Sequence, residues 1–209
     1  MAKKPELDAA YTLKDADEAR AFYGDWAETY DSSFAASRDY ILHEEVATGF
    51  VAAGGVGPVL DVGAGTGLVG EALARRGVSP LEATDLSEEM LAVAERKGCY
   101  ARVFAADITE TMPIPEGTYG GIVSAGAFTL GHLGPEPIEE LIRITRPGGL
   151  LALSVNAVHW EAAGFDAAME ALGDRITGLK RTPIRIYAQD ASHDHADDLS
   201  MLATFNRAI

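Results

Sequence analysis

The nine residues Val59-Leu60-Asp61-Val62-Gly63-Ala64-Gly65-Thr66-Gly67 constrain the architecture of this chain more than any other stretch. Val59 to Val62 reads as a short strand, and Leu68, Val69, Ala72 and Leu73 continue at helical spacing after the glycines. A strand that passes through a glycine-rich turn into a helix is the start of a βα unit. The glycines let the backbone turn tightly and approach a ligand, and the amides at the helix start favour a negative group.

The pattern then repeats. Leu81 to Thr84 predicts a second strand ending at Asp85, Ser87 caps the next helix, and Tyr100 to Ala105 predicts a third strand ending at Asp107. Ile122 to Ala125, a helix over Pro137 to Thr145, and Leu150 to Val155 complete five strands. Strands alternating with helices give parallel βαβ units. Beyond them the alternation breaks. A helix near Trp160 to Leu172 precedes two strand-like runs, Leu179 to Tyr187 and Leu199 to Asn206, which predict an antiparallel edge on a mostly parallel, seven-stranded sheet. Before the glycine turn, Ala16, Ala19, Phe22, Tyr23, Trp26 and Tyr30 form one aromatic-rich helical stripe, and a second helical pattern runs from about Arg38 to Ala53. The reading is a single domain over 1–209: a helical cap over about 1–54, a core over 55–156, and a C-terminal helix with edge strands over 157–209.

Composition narrows the function. With 209 residues, 47% hydrophobic, the chain can bury one core. Apolar runs such as Leu150 to Val155 are far too short for a bilayer, and the Met-Ala-Lys-Lys start leads into no apolar signal core, so a cytoplasmic protein is expected. Cys99 is the only cysteine, which excludes an internal disulfide and a cysteine-built zinc site. A net charge of -15 repels nucleic-acid phosphates and counts against DNA or RNA as a partner, with Arg175 to Arg185 the one stretch that approaches a basic patch; a small molecule is the expected partner.

Ligands of such sheets sit beyond the carboxyl ends of the strands, where this chain presents Asp85 and Asp107. Gly65, Gly67 and Gly70 also satisfy the dinucleotide pattern G-x-G-x-x-G, with Asp85 about 20 residues on as a ribose ligand, so a nicotinamide-dependent oxidoreductase competes. Against it stand the acid inside the first strand, Asp61, the second strand-end acid, Asp107, and the absence of a Tyr-x-x-x-Lys pair.

In this combination the sequence resembles the class I S-adenosylmethionine-dependent methyltransferases over about residues 20 to 156. VLDVGAGTG matches their first motif, ATDLSEEML the acidic second, AADI the third, GIVSAGAF the fourth and RITRPGGLLAL the loop before the fifth strand. WAETYD and the general layout look most like the methyltransferase-like proteins named after the Williams-Beuren syndrome region. The fourth motif departs from the pattern, because Gly120 stands where an Asp commonly precedes the strand. The resemblance implies a Rossmann-like, doubly wound fold with S-adenosylmethionine as cofactor and S-adenosylhomocysteine as product. It also implies residue roles. Asp85 would accept from the ribose hydroxyls and Leu86 would pack on adenine. Asp107 would accept from the adenine amine, and the Ile108 amide would donate to a ring nitrogen. Gly63 and Gly65 would let main chain approach the methionine part, with Asp61 acting through the loop. Backbone around Ser124 and Ala125 would meet the amino group, and Trp26 and Tyr30 would close the site.

Each assignment has a plainer counterpart. A strand-end Asp often only caps the next helix, and Trp26 and Tyr30 share their stripe with Phe22, as core residues do. Methyl transfer from a sulfonium is an in-line displacement in which positioning and desolvation supply much of the rate, so no side-chain catalyst is obligatory. For a hydroxyl acceptor His132, just beyond the fourth strand, is the candidate base, with an ordinary loop histidine as the alternative. His159 and Tyr187 are weaker candidates for the same wall. Ser192 to Asp198 carries ligand-type residues, but a polar loop between two strands accounts for the same letters, and no metal is expected. Ser124-Ala125-Gly126-Ala127 lacks the Pro-Pro-aromatic arrangement that grips a flipped base. Three functions remain: methyltransferase, nicotinamide enzyme, or a cofactor-binding scaffold without turnover, the last kept open by Gly120.

Overall fold

The computed structural model describes Ala10, Leu13 and residues 16–209; the Met-Ala-Lys-Lys start lies outside the described residues. Seven strands form one sheet in the order β3-β2-β1-β4-β5-β7-β6. They are β1 (Val59–Val62), β2 (Leu81–Asp85), β3 (Arg102–Ala105), β4 (Tyr119–Phe128), β5 (Thr145–Asn156), β6 (Ile176–Arg185) and β7 (Leu199–Arg207). β1 to β5 pair in parallel. β7 runs antiparallel between β5 and β6, giving the expected antiparallel edge.

Side-chain alternation along the strands divides the core into two layers. Val59 of β1 faces one layer with Phe50, Val69, Leu73 and Val123. Its neighbours Leu60 and Val62 face the other, with Ile122, Leu141, Leu151, Phe165 and Phe205. Helices α1 (Ala16–Trp26), α2 (Leu42–Ala52), α3 (Leu68–Arg75) and α4 (Glu88–Arg96) supply the first layer. Helices α5 (Ile138–Ile144), α6 (Ala157–Ala162) and α7 (Phe165–Leu172) supply the second. All four residues of β1 are buried, as a central strand of a doubly wound sheet requires.

Three expected helices are broken where local backbone forbids continuation. The N-terminal stripe leaves α-helical geometry after Trp26 and continues through a turn into a single π-helical turn, Asp31–Ala35. The second helix starts at Leu42 rather than Arg38. Asp39 has φ 52°, Tyr40 bridges antiparallel to Tyr187, and the amides of Ile41 and Leu42 donate to the Ile186 carbonyl at 2.9 and 3.2 Å. The helix read from Trp160 to Leu172 splits at Gly164, whose φ of 71° no helix interior tolerates.

Ser87 caps α4 as its sequence signals, its Oγ accepting from the Met90 amide at 3.1 Å. Gly120 lies at the amino end of β4, opposite the end that carries the glycine turn, with its amide bonded to the Pro58 carbonyl at 2.7 Å. A Cβ there would stand 2.9 Å from the Arg146 guanidinium and from the Gly57 carbonyl oxygen. The departure from the usual acid thus answers to packing at the far end of the sheet.

Candidate functional site

A cavity of about 390 Å³ opens at the carboxyl ends of the parallel strands. One side is built by strand ends: Gly63 to Thr66 after β1, Asp85 to Ser87 after β2, Ala106 to Thr109 after β3, and Ala125 to Ala127 within β4. The other side is the cap, through Arg20 and Tyr23 on α1, Tyr30, Tyr40 and His43, joined by Gly131 to Leu133. A second cavity of about 60 Å³ shares the wall of Tyr23, Tyr30, Tyr40 and Gly126 and reaches Asn156, Tyr187 and Ser200.

The glycine turn is shaped by contacts as well as by dihedral freedom. Gly67 opens α3 at φ 87°, where a Cβ would press on Tyr100 and Ala94 at 2.9 and 3.1 Å. Gly63, at φ 63°, would press a Cβ on that of Ala127 at 2.7 Å. Asp85 does both things a strand-end acid can do. Its Oδ1 accepts from the Ser87 amide at 3.0 Å and its Oδ2 from the Gly65 amide at 2.8 Å, yet it lines the cavity, where an ionised carboxylate has further lone pairs to offer. Burial raises its pKa, and the amides of Ser87, Gly65 and Leu86 pull the other way. Asp107 likewise accepts on Oδ1 from the Thr109 amide and hydroxyl, at 2.9 and 2.6 Å. Its Oδ2 has no partner among the described residues and is left for the cavity that Asp107 lines.

Leu86, Ile108, Ala125, Gly63, Gly65, Tyr30 and His132 also line the cavity. Trp26, Asp61 and Ser124 are not among its lining residues. Trp26 is 4% exposed and turned into the core, its indole Nε1 donating to Ser33 Oγ at 2.9 Å and its ring set edge-on to Tyr30 at 5.2 Å, so it backs Tyr30 instead of touching the cavity. The Ser124 side chain is fully buried with its Oγ unpartnered, so only the main chain next to Ala125 can meet a ligand. Asp61 lies under the turn, accepting from Tyr100 Oη at 2.6 Å, and burial pushes its pKa up to about 7.

His132 is held at both nitrogens. Its Nδ1 donates to the Leu130 carbonyl at 3.0 Å, which in the neutral ring leaves Nε2 to accept from the Tyr23 hydroxyl at 2.9 Å. Burial lowers its pKa, outweighing the carbonyl bond that raises it, so the neutral, proton-accepting form is favoured near pH 7. His159 Nε2 donates to the Leu133 carbonyl at 2.9 Å, bracing that loop from outside the cavity. In the polar loop, His193 Nε2 donates to the Arg38 carbonyl at 3.2 Å, and His195 Nδ1 meets Asp198 Oδ2 at 2.9 Å. Four residues that carry the site were not read from the sequence as such: Tyr23, Tyr40, His43 and Tyr100. Tyr23 sits on the same stripe as Trp26 and Tyr30, and Gly70 was the only trace of Tyr100.

An α/β sheet of this order, with acids at two successive strand ends facing one cavity, places a ligand site beyond the carboxyl ends of its parallel strands. The residues present fit an adenosyl ligand: two carboxylates that line one cavity are the acceptors that a ribose diol and an adenine amine would need, and Gly63 and Gly65 bring main chain to the same cavity. A family model described as "Methyltransferase domain" matches residues 59–149. The chain belongs to the class I S-adenosylmethionine-dependent methyltransferases, and its cofactor is S-adenosylmethionine.

Among individual proteins it is similar to methyltransferase-like protein 27 of Homo sapiens, with 32% identity over 181 residues that cover 83% of this chain and 71% of that protein. It is also similar to the malonyl-[acyl-carrier protein] O-methyltransferase of Pectobacterium atrosepticum, 33% identical over 59% of this chain and 46% of that protein. A TehB-like S-adenosylmethionine-dependent methyltransferase from Corynebacterium glutamicum shares the fold, with a TM-score of 0.61 at 20% identity over 90% of this chain and 98% of that one. This assignment places the glycine turn with the methyltransferases and not with the nicotinamide enzymes.

Proposed function

We propose that this chain, acting as one domain, transfers a methyl group from S-adenosylmethionine to a small-molecule acceptor that enters between the strand ends and the cap. The observation that carries the reading is the cavity itself, about 390 Å³, walled by strand-end carboxylates on one side and by tyrosines and His132 on the other. That volume lies in the ordinary range of small-molecule sites, about 300–1,000 Å³. The net charge of -15 weighs against a nucleic-acid acceptor.

In this reading Asp85 and Leu86 take the ribose and adenine, Asp107 and the Ile108 amide take the adenine edge, and Gly63, Gly65 and Ala125 line the methionine part. Asp61 acts through the turn, and Trp26 through Tyr30. Bound S-adenosylmethionine supplies a methyl group already activated on a sulfonium. The chain's share of the work is to orient the acceptor, exclude water and take a proton, and His132 is the base at the acceptor side. No helix among the described residues is long and apolar enough to cross a membrane. Together with the unpaired Cys99 this supports work in a cytoplasmic setting.

Isothermal titration with S-adenosylmethionine, S-adenosylhomocysteine and NADH in parallel tests the cofactor site. Saturable binding of both adenosyl ligands and none of NADH is expected. Binding of NADH alone would refute the reading.

A further inference from the structure

The cap-side half of the main cavity is lined by Tyr23, Tyr30, Tyr40, His43 and His132. The charged side chains among the described lining residues are Arg20, Asp85 and Asp107. The two carboxylates stand at the strand ends, on the cofactor side. Arg20 is 49% exposed at the rim and already bonded to Asp17 at 2.9 Å. Among the described residues, the acceptor end therefore offers no buried cation to a carboxylate or phosphate, whose desolvation would go uncompensated. A cationic acceptor would meet the positive sulfonium at close range. What the walls do offer is aromatic surface, suited to a flat ring.

The second observation is the Tyr23–His132 pair. With Nδ1–H fixed on the Leu130 carbonyl, His132 points its lone pair at the Tyr23 hydroxyl, 2.9 Å away, and both residues line the cavity. Tyr23 also lines the smaller cavity, so the residue bonded to the histidine borders both spaces open to an acceptor.

Resting on the methyl-transfer reading above, we propose that the acceptor is a neutral, flat molecule bearing a phenol-type hydroxyl, and that Tyr23 relays its proton to His132. As the acceptor oxygen bonds to the methyl carbon, the carbon–sulfur bond breaks and its electron pair stays on sulfur. The acceptor proton passes to Tyr23 Oη while the Tyr23 proton passes to His132 Nε2. The imidazolium then returns a proton to water, and the neutral pair is restored. Burial and His159 on α6 lower the pKa of His132 and the Leu130 carbonyl raises it; the other titratable or charged groups that bond to it or share its cavity are Tyr23 on α1, Tyr30, Tyr40, His43, Arg20, Asp85 and Asp107.

The test uses three probes of one shape and different charge, 4-methylphenol, benzoate and benzylamine, titrated against the whole chain loaded with S-adenosylhomocysteine. 4-Methylphenol is expected to bind at least about tenfold tighter than the other two, whose charges would be desolvated without a partner, and to accept radiolabelled methyl from S-adenosylmethionine. Tyr23→Phe keeps the ring but removes the relay. It is expected to lower the transfer rate at least about tenfold, to change 4-methylphenol binding by less than about threefold, and to lose the rise of rate with pH expected of the parent as His132 gives up its proton. Benzoate or benzylamine bound as tightly as 4-methylphenol, no 4-methylphenol binding, or a Tyr23→Phe variant with the parent's rate and pH profile would each overturn the proposal. Failure of the chain to bind S-adenosylhomocysteine would overturn the cofactor reading and this inference with it.

Discussion

Tyr100 Oη stands where Gly70 would carry a side chain: a Cβ at Gly70 would lie 2.2 Å from that oxygen and 2.2 Å from the ring carbon bearing it. The hydroxyl accepts from the Gly70 amide at 3.1 Å and donates to Asp61 at 2.6 Å, so α3, β1 and the segment that leads into β3 meet at one oxygen. The third glycine of the G-x-G-x-x-G pattern, which the sequence offers to a dinucleotide, is thus required by a tyrosine.

Gly70→Ala is expected to destabilise the protein by about 1–3 kcal/mol, the usual cost of overpacking, because Tyr100 must leave its place and Asp61 loses the hydrogen bond from its hydroxyl. Denaturant unfolding of Gly70→Ala, Tyr100→Ala and the double variant checks the cause. The double variant should cost clearly less than the sum of the singles, since the clash vanishes with the ring; additive costs would place the strain elsewhere.

How much of this was legible beforehand follows the range of the forces involved. The strand, glycine turn and helix at 59–75 and the acids at Asp85 and Asp107 are local patterns, and they stand where the sequence put them. The insertion of β7 between β5 and β6 needs a β5–β7 pairing across more than 40 residues, on which local periodicity is silent. Tyr40 and His43 reach the cavity because residues 40–42 are bonded to Ile186 and Tyr187, another long-range pairing without a motif. A helical stripe shows that Tyr23, Trp26 and Tyr30 share a face. It does not say which turns toward a ligand, and the end of α1 at Trp26 decides that in favour of its neighbours.

Asp61 makes stability depend on pH. Its folded pKa, about 7, lies above the ordinary 3.8 because burial disfavours the charge and Asp85 adds repulsion. A raised folded pKa means that the folded state binds the extra proton. Its contribution is fully present below pH 3.8 and is lost as pH rises through 7. The ligand-free protein should therefore lose stability between about pH 4 and 7 and level off above that, and Asp61→Asn, which can still accept from Tyr100, should lose less. The gap between the two, up to about 4 kcal/mol at 1.36 kcal/mol per unit, should open with rising pH and close near pH 4. Parallel melting curves that give a gap independent of pH would show that Asp61 is charged throughout.

The cap is fastened to the cofactor turn by Asp31. Its Oδ1 accepts from Thr66 Oγ1 at 2.5 Å, and its Oδ2 pairs at 2.8 Å with Lys97, which also pairs with Glu71 at 2.7 Å. The Lys97 side chain is only 13% exposed, so the cluster is partly shielded from solvent. Asp31→Ala should cost about 1–2 kcal/mol, in keeping with a charge-assisted pair plus a neutral bond reduced by partial exposure. It should also raise protease sensitivity within residues 27–40 more than elsewhere. Unchanged cleavage with the same loss of stability would mean that the cluster stiffens α3 and α4 but does not hold the cap.

Asp85 is the side chain whose loss should separate binding from folding. Its oxygens hold the Ser87 and Gly65 amides, so Asp85→Ala removes both local bonds along with any ligand bond and will lower stability as well as affinity. Asp85→Asn keeps one carbonyl-type acceptor and surrenders the charge and the second acceptor, leaving too few lone pairs for two amides and a diol together. S-adenosylhomocysteine binding is expected to weaken by about 1–3 kcal/mol in Asp85→Ala, the usual cost of losing hydrogen bonds to a charged group. Asp85→Asn should lose nearly as much affinity while melting closer to the parent. Parent-like affinity in a folded Asp85→Asn would mean that the carboxylate serves the turn alone, and Asp107 would then be left as the strand-end acid that recognises the cofactor.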